Sequence, residues 1–227
     1  MRYPPDQRFE TFVAACGDAA PEQVRALADG RGRESVYMVG AEGTGKTHLA
    51  LAACAEAEAH GRSNAYLAPA AARGRLQHAL KGLHGRALVA LDGIDAVAGA
   101  GEDERALFDF HNRVHDAGGR VLYTATRLPD ALDWTLPDLQ SRLSQCVRIA
   151  LSPLDDAGRR EVLRRRAERR GLQVDAAAVD WLLQHVERDL ASLTTLLDTL
   201  DHASLAAQRR ITLPFLREVL ASPAWRR

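Results

Sequence analysis

The residues best suited to chemistry form one glycine-rich segment. Residues 40–47 read Gly-Ala-Glu-Gly-Thr-Gly-Lys-Thr and match in full the phosphate-loop pattern Gly-x4-Gly-Lys-[Ser/Thr]. Glycines let successive backbone N–H groups turn inward and approach phosphate oxygens, and the helix that follows points its positive end at the same anion. We therefore predict a site for a nucleoside phosphate. Its predicted residues are Gly40, Gly43, Thr44, Gly45, Lys46, Thr47 and His48.

Three side chains are expected to hold the phosphates and a metal ion. Lys46 supplies a point charge for the β and γ phosphates, and the Thr47 hydroxyl is a predicted Mg²⁺ ligand. Asp92 follows a buried strand, at the position where P-loop proteins hold Mg²⁺. Many P-loop ATPases place a second carboxylate directly after this acid, but here the next residue is Gly93, and Asp95 comes two positions later. We therefore expect slow unaided hydrolysis.

The elements around these residues indicate an α/β fold. Short apolar runs alternate with helical patterns from residue 35 to 150, which is typical of a parallel sheet covered on both faces. The runs predict strands at 36–39, 65–68, 87–91, 121–124 and 146–151. Apolar spacing predicts helices over 49–59 and 104–117. We expect the alanine-rich residues 14–30 to form a loop.

Beyond Pro153 the strand signal disappears and the pattern is helical. Helices are predicted from Asp155 or Asp156 to about residue 170, over 175–187 and 189–208, and from Pro214 onward. We therefore predict two domains, an α/β nucleotide-binding base at 1–152 and a small all-helical lid at 153–227. Arginines crowd the first lid helix, at 159, 160, 164, 165, 166, 169 and 170. They form either a solvated face or a docking surface for an acidic partner or DNA.

Composition excludes several classes of protein. Thirty Lys and Arg side chains balance thirty Asp and Glu side chains, which argues against a protein built mainly to coat nucleic acid. The three cysteines lie far apart, so neither a disulfide framework nor a zinc site is indicated. The chain has no apolar run near the about 18 residues of a membrane span and no secretion-type N-terminus, so we expect a cytoplasmic protein that does not contact membranes.

A set of motifs resembles the DnaA-type AAA+ family in content and in order. The motifs are Phe-Glu-Thr-Phe-Val at 9–13, Gly-Lys-Thr-His-Leu at 45–49, Leu-Asp-Gly-Ile-Asp at 91–95, Phe-Asp-Phe-His-Asn-Arg at 108–113, Thr-Ala-Thr-Arg-Leu-Pro at 124–129 and Leu-Pro-Asp-Leu-Gln-Ser-Arg-Leu at 136–143. Within this family, residues 196–215 resemble the Hda branch of regulatory inactivators of DnaA. The resemblance covers nearly the whole chain.

The resemblance implies an AAA+ P-loop NTPase with a sandwiched parallel sheet and a helical lid. It implies bound ATP or ADP with Mg²⁺, and head-to-tail association that includes a possible homo-oligomer. It assigns Arg142 as an arginine finger that reaches the nucleotide of a neighbouring subunit, and it places sensor 1 at Thr126 or Thr124. The family's sensor 2 arginine falls on Ala191, with Arg188 one turn earlier as the candidate to replace it.

The resemblance further implies a regulator that promotes hydrolysis of DnaA-bound ATP and so prevents re-initiation of replication. The partners would be DnaA and the DNA-loaded sliding clamp, with DNA engaged only indirectly. Hda proteins dock on the clamp through a Gln-Leu-x-Leu-Pro-Leu-like segment, and the chain begins at the residues expected to follow it. Two alternatives are an autonomous ATPase of the helicase-loader type and a DnaA-like DNA-binding adaptor that uses the arginine-rich helix.

Overall fold

The computed structural model describes residues 3–185, 199–204 and 210–221. The chain forms two compact units, Met1–Pro153 and Leu154–Arg227. The first unit holds strands β1 (Val36–Val39), β2 (Asn64–Leu67), β3 (Leu88–Leu91), β4 (Arg120–Ala125) and β5 (Val147–Ala150), and helices α1 (Ala20–Asp29), α2 (Lys46–Ala59), α3 (Leu76–Leu80), α4 (Gly101–Asp116) and α5 (Pro137–Gln145). Every predicted strand is present, and its ends lie within one residue of the prediction.

The five strands form one parallel sheet in the order β2-β3-β4-β1-β5. In register, Met38 of β1 lies opposite Thr124 of β4 on one side and Ile149 of β5 on the other. Because all strands run in one direction, their carboxyl ends meet along a single edge of the sheet. The phosphate loop follows β1 and Asp92 follows β3, so the topology places both at that edge.

The sheet is covered by a hydrophobic layer on each face, as the continuous apolar runs predict. Alternate strand residues point to opposite faces, so neighbours such as Tyr37 and Met38 belong to different layers. One layer packs α1 and α2 against Val36, Met38, Leu88, Ala90, Leu122 and Ile149. The other packs residues of α3, α4 and α5 against Tyr37, Val89, Leu91, Val121 and Tyr123.

The prediction of a loop over residues 14–30 is wrong for α1. The Asp18 carboxylate accepts a hydrogen bond of 2.8 Å from the backbone N–H of Ala20, which satisfies one of the free donors at the helix start. Val24 and Leu27 are fully buried against the sheet, and Gly30 ends the helix with φ +93. The high alanine content obscured the narrow apolar stripe that this helix buries.

Two acidic side chains at the start of α4 are buried and fix neighbouring loops. Asp103 accepts hydrogen bonds from the backbone N–H groups of Gly74 and Leu76, and it thereby holds the start of α3, a helix that the sequence analysis missed. Glu104 is fully buried. Its two carboxylate oxygens accept five hydrogen bonds of 2.7–3.1 Å. The donors are the backbone N–H groups of Gly99, Thr135 and Leu136 and the hydroxyl of Thr135. Glu104 thus ties α4 to the segment that leads into α5.

In its described residues, the second unit consists of helices, their connecting segments and one isolated β-bridge between Val174 and Ile211. Its helices are α6 (Asp156–Arg169), α7 (Ala176–His185) and α8 (Leu213–Ala221), and residues 199–204 are also helical. The Asp155 side chain accepts a 2.7 Å hydrogen bond from the backbone N–H of Gly158, so it caps α6 as predicted. Most of the predicted helix at 189–208, with Ala191 and Arg188, lies outside the described residues.

Much of the arginine charge on α6 is balanced within the same unit. Arg164 pairs with Glu161 and Glu168, Arg165 pairs with Glu161, and Arg160 pairs with Asp180 of α7 at 2.7 Å. The two arginines beside Glu161 lower the pKa of its carboxyl to about 2. These pairs favour a solvated, self-compensated helix face. Within the described ranges, no helix combines the length and the apolar character that crossing a membrane requires.

Candidate nucleotide-binding site

The backbone of residues 40–47 requires glycine at three positions, of which Gly43 has φ +76. Gly45 has φ +96 and immediately precedes α2, and a Cβ added to it would lie 2.6 Å from Cε2 of Phe12. A Cβ on Gly40 would lie 2.6 Å from the Thr44 hydroxyl oxygen and 3.0 Å from Leu151. The loop therefore folds tightly over the start of α2, whose N-terminal N–H groups form the positive end of the helix.

Lys46 lies across the loop that it follows. Its ammonium group donates hydrogen bonds to the carbonyl oxygens of Gly40 at 2.7 Å and Ala41 at 2.9 Å. Burial lowers the pKa of Lys46, and the negative charges of Asp95 and Asp92 oppose that shift, with Asp95 contributing more. The lysine thus forms the cationic centre of the loop, with two carboxylates close enough to act on it.

Asp92 is the hub of a small hydroxyl network. Its Oδ2 accepts hydrogen bonds from Thr47 and from Tyr66, each at 2.7 Å, and its Oδ1 accepts one from Thr124 at 2.5 Å. The structure therefore brings together the two predicted metal ligands, Thr47 and Asp92. Thr124 is fully buried, and its oxygen also accepts the N–H of Gly93 at 2.8 Å. Of the two sensor candidates, Thr124 is the one that contacts Asp92.

Thr126 instead pairs with the second carboxylate. Its hydroxyl and its backbone N–H both donate to Oδ2 of Asp95, at 2.6 and 2.8 Å. The other carboxylate oxygen, Oδ1, is buried and has no hydrogen-bond partner among the described residues. Asp95 is thus held from one side by Thr126, its other oxygen is buried, and its negative charge acts on Lys46.

His48 joins the phosphate loop to the start of the chain. Its Nε2 lies 2.8 Å from the carbonyl oxygen of Arg8 and 3.1 Å from the hydroxyl oxygen of Thr11. Because a carbonyl only accepts, Nε2 carries the proton and donates it to Arg8. The ring also meets Phe12 edge-on, with centroids 5.3 Å apart. His48 therefore packs beside the loop, as expected, and anchors the turn at Phe9–Thr11 to α2.

Arg142 lies in the last turn of α5 and is exposed to solvent. Among the described residues, its guanidinium has no ion pair or hydrogen bond. It borders a cavity of about 540 Å³, whose lining includes His111, His115 and Cys146. The helix that carries it is braced at its start by Glu104 through Thr135 and by a contact of Gln140 with the Pro129 carbonyl. Arg142 is thus a solvent-exposed cation on a supported helix.

Tyr66 was missed by the sequence analysis. It lies one residue before the end of β2, the neighbour of the strand that leads to Asp92. Burial, and after it the hydrogen bond to Asp92, raise the pKa of the Tyr66 hydroxyl well above its usual value, so it stays protonated and donates. The sequence shows only a hydroxyl near the carboxyl end of a predicted strand. That position does not reveal its partner until the strand order places β2 beside β3.

The donor set at Asp92 fits a magnesium ion. Mg²⁺ prefers hard oxygen ligands and usually keeps several waters, so it takes one or two protein oxygens together with phosphate oxygens. The Thr47 hydroxyl and the Asp92 carboxylate supply such oxygens at adjoining positions. Across the described residues, no cluster of three or more His, Cys, Asp or Glu side chains offers an all-protein metal cage.

Comparison with known protein families divides the chain as the fold does. Residues 36–151 match the model of the ATPase family associated with various cellular activities (AAA), which covers just over half of the chain. Residues 156–220 match the model described as Hda, lid domain. The two matched ranges fall in the two compact units, one in each.

Solved structures share the fold at low sequence identity. Domain III of the replication initiation protein DnaA from Thermotoga maritima has a TM-score of 0.84 at 20% identity, and the match covers 97% of this chain and 98% of that one. AMPPCP-bound DnaA from Aquifex aeolicus has a TM-score of 0.71 at 23% identity, covering 92% and 70%. The RuvB branch migration motor of Thermotoga maritima has a TM-score of 0.71 at 18% identity, covering 96% and 72%.

At these identities the structural matches show a common architecture, which is the predicted parallel sheet with flanking helices and a helical lid. The two family models add a relationship in sequence, since residues 36–151 match the AAA family and residues 156–220 match the lid domain of Hda. This chain therefore belongs to the AAA ATPase family, and its second unit matches the lid domain of Hda.

Proposed function

We propose that this protein is a regulator that binds ATP or ADP with Mg²⁺ and promotes hydrolysis of the ATP bound to DnaA. The lid that matches the Hda family model is the observation that carries the proposal. Its base and lid would form the nucleotide-dependent scaffold at 1–152 and 153–227. The active group would be Arg142, supplied to the nucleotide of a neighbouring DnaA subunit.

Within its own site, the protein binds nucleotide through residues of the glycine loop. Gly43 and Gly45 leave room for backbone N–H groups to meet the phosphates, and Lys46 moves from its loop carbonyls to the β and γ oxygens. Thr47 and Asp92 would hold Mg²⁺, which would supply positive charge to offset the charge of the phosphates. Thr124, on the Asp92 carboxylate, is the better placed candidate for the sensor 1 role.

Intrinsic hydrolysis is expected to be slow because Gly93 follows Asp92, where many P-loop ATPases place a second carboxylate. The protein would then hold its nucleotide as a conformational ligand. Its effect on DnaA would come from the arginine finger, because a guanidinium that offsets charge on the transferred phosphoryl group accelerates hydrolysis by about 10³–10⁵-fold. The exposure of Arg142 and the bracing of α5 support action in trans.

The interface with DnaA would be head-to-tail, since a finger on one face must meet a nucleotide site on a different face. The same geometry permits a homo-oligomer. The DNA-loaded sliding clamp is the proposed cofactor of the assembly, and DNA would be engaged only through it. Localisation in the cytoplasm follows from this proposal, since DnaA and the clamp act on chromosomal DNA.

The test is hydrolysis of ATP pre-bound to DnaA, measured with and without this protein and with and without DNA-loaded clamp. We expect stimulation by the wild-type protein that falls at least about 100-fold in Arg142→Ala, while the variant still binds nucleotide. Arg105→Ala is the matched control, because Arg105 is also exposed and lies on α4. Equal stimulation by wild type and Arg142→Ala would contradict the finger mechanism.

A second candidate, an autonomous ATPase, is favoured by one observation. Asp95 is held by Thr126 beside Lys46 with a free carboxylate oxygen, so it is placed to orient a water molecule two positions later than usual. This candidate predicts substantial hydrolysis without DnaA that Asp95→Asn abolishes. Turnover by the protein alone that is negligible beside DnaA-dependent turnover would exclude it.

A further inference from the structure

The Asp92 carboxylate accepts hydrogen bonds from three hydroxyl groups, each on a different element of the fold. Thr47 donates from the start of α2, Tyr66 from β2 and Thr124 from β4, at 2.7, 2.7 and 2.5 Å. Two of these donors are side chains of the predicted nucleotide site. The third, Tyr66, belongs to no motif of that site and reaches Asp92 from the opposite side of β3.

Strand order explains why Tyr66 reaches Asp92. β2 pairs in parallel with β3, with Tyr66 opposite Ala90, and the backbone N–H of Asp92 donates to the carbonyl of Leu67 at 2.9 Å. Residues two apart on neighbouring parallel strands share a face, so the side chains of Tyr66 and Asp92 lie on the same face and can meet. The Tyr66 ring packs against the hydrophobic layer that contains α2, which fixes the position of its hydroxyl.

We propose that the Tyr66 hydroxyl is a positioning group for the magnesium site. It holds the Asp92 carboxylate in the one orientation that serves Mg²⁺, and this role rests on the proposed nucleotide site. Asp92 lies one residue past the end of β3, so the orientation of its carboxylate depends on the hydrogen bonds from its neighbours. Tyr66 and Thr124 brace the carboxylate from the two flanking strands.

This bracing leaves Thr47 free to act on the metal. A hydroxyl has one proton and two lone pairs. Thr47 can therefore donate its hydrogen bond to Asp92 while one of its lone pairs binds Mg²⁺. The direction of that lone pair depends on where the Asp92 oxygen stands. Loss of the Tyr66 hydroxyl would therefore weaken magnesium binding through Asp92 and Thr47, although Tyr66 touches neither the metal nor the nucleotide.

The test compares nucleotide affinity with and without Mg²⁺ in the full chain. N-methylanthraniloyl-ADP is titrated into wild type and Tyr66→Phe, once in excess Mg²⁺ and once in EDTA. The phenylalanine ring keeps the packing of Tyr66 and removes the hydroxyl alone. We expect the two affinities in EDTA to agree within about twofold. The gain in nucleotide affinity on adding Mg²⁺ should be about 3–10-fold smaller in the variant, on the scale of one lost hydrogen bond.

Tyr37→Phe is the matched control. Tyr37 is also a buried strand tyrosine, and its hydroxyl donates to the Arg127 carbonyl at 2.8 Å on the other face of the sheet. In Tyr37→Phe, the gain in nucleotide affinity on adding Mg²⁺ should equal that of wild type. A gain in Tyr66→Phe that matches or exceeds wild type would overturn the proposal, and so would an equal loss of affinity with and without Mg²⁺, because that marks a purely structural role. Failure of the wild-type protein to bind the nucleotide at all would refute the proposed function instead.

Discussion

Replacing Glu104 with glutamine should destabilise the first unit far more than its near-isosteric size suggests. The Glu104 side chain is fully buried and functions only as an acceptor. Its Oε1 accepts from the backbone N–H of Gly99 at 2.7 Å, and its Oε2 accepts from the N–H of Thr135, the hydroxyl of Thr135 and the N–H of Leu136 at 2.8–2.9 Å. A glutamine side chain has one oxygen and must place an NH2 group against some of these donors.

The magnitude follows from the better of the two amide orientations. With the amide oxygen at the Oε2 position, the N–H of Gly99 loses its acceptor and faces another donor. A buried donor left unsatisfied costs about 1–3 kcal/mol, and the remaining bonds weaken because the acceptor is no longer charged. We expect a loss of roughly 2–4 kcal/mol in the free energy of unfolding, a large share of the about 5–15 kcal/mol of a typical domain.

The assay is urea denaturation at neutral pH, followed by far-UV circular dichroism. Glu102→Gln is the matched control, since Glu102 lies two residues away on α4, is 89% exposed and pairs only with Arg105 at 2.8 Å among the described residues. The control should stay within about 0.5 kcal/mol of wild type. If Glu104→Gln also unfolds within about 0.5 kcal/mol of wild type, the buried acceptor does not hold these loops and the reasoning fails.

Two further predictions concern the loop and the acid range. Gly45→Ala should reduce nucleotide affinity at least about tenfold, because φ +96 strains alanine and its Cβ would meet Phe12. Gly61→Ala is the control, because φ +68 also strains alanine there but the position has open space and lies outside the phosphate loop, so it should bind nucleotide as wild type does. Burial, and after it the charge of Arg142, lower the pKa of His111 to about 4. Between these two pKa values the unfolded chain takes up a proton that the folded protein does not, so the free energy of unfolding should fall as the pH drops from about 6.5 toward 4. Urea midpoints measured over this range should fall less steeply in His111→Gln than in wild type.

The strands and the helical C-terminal part were predictable because their signals are local. Buried parallel strands read as continuous apolar runs, and Asp155 in front of α6 is a direct capping signal. The loop prediction at α1 failed for a physical reason. Alanine gives little hydrophobic contrast, so the burial of Val24 and Leu27 becomes evident only when the sheet is there to receive them.

The phosphate loop is the part of the site that the sequence by itself determined. Its residues are contiguous, so the loop conformation and the lysine position follow from eight consecutive residues, although α2 begins at Lys46 and not at the predicted residue 49. The same holds for Asp92, because a carboxylate after a buried strand of a P-loop protein has one expected place. Local chemistry was sufficient in both cases.

Only the tertiary structure decided which side chains surround that carboxylate. The chain order does not say that β3 lies between β2 and β4, yet this order brings Tyr66 and Thr124 to Asp92 and leaves Thr126 to Asp95. Hydrogen bonds across neighbouring strands join residues about 30 positions apart, and their partners depend on strand order and register. Those are settled by packing of the whole sheet, and no single segment encodes them.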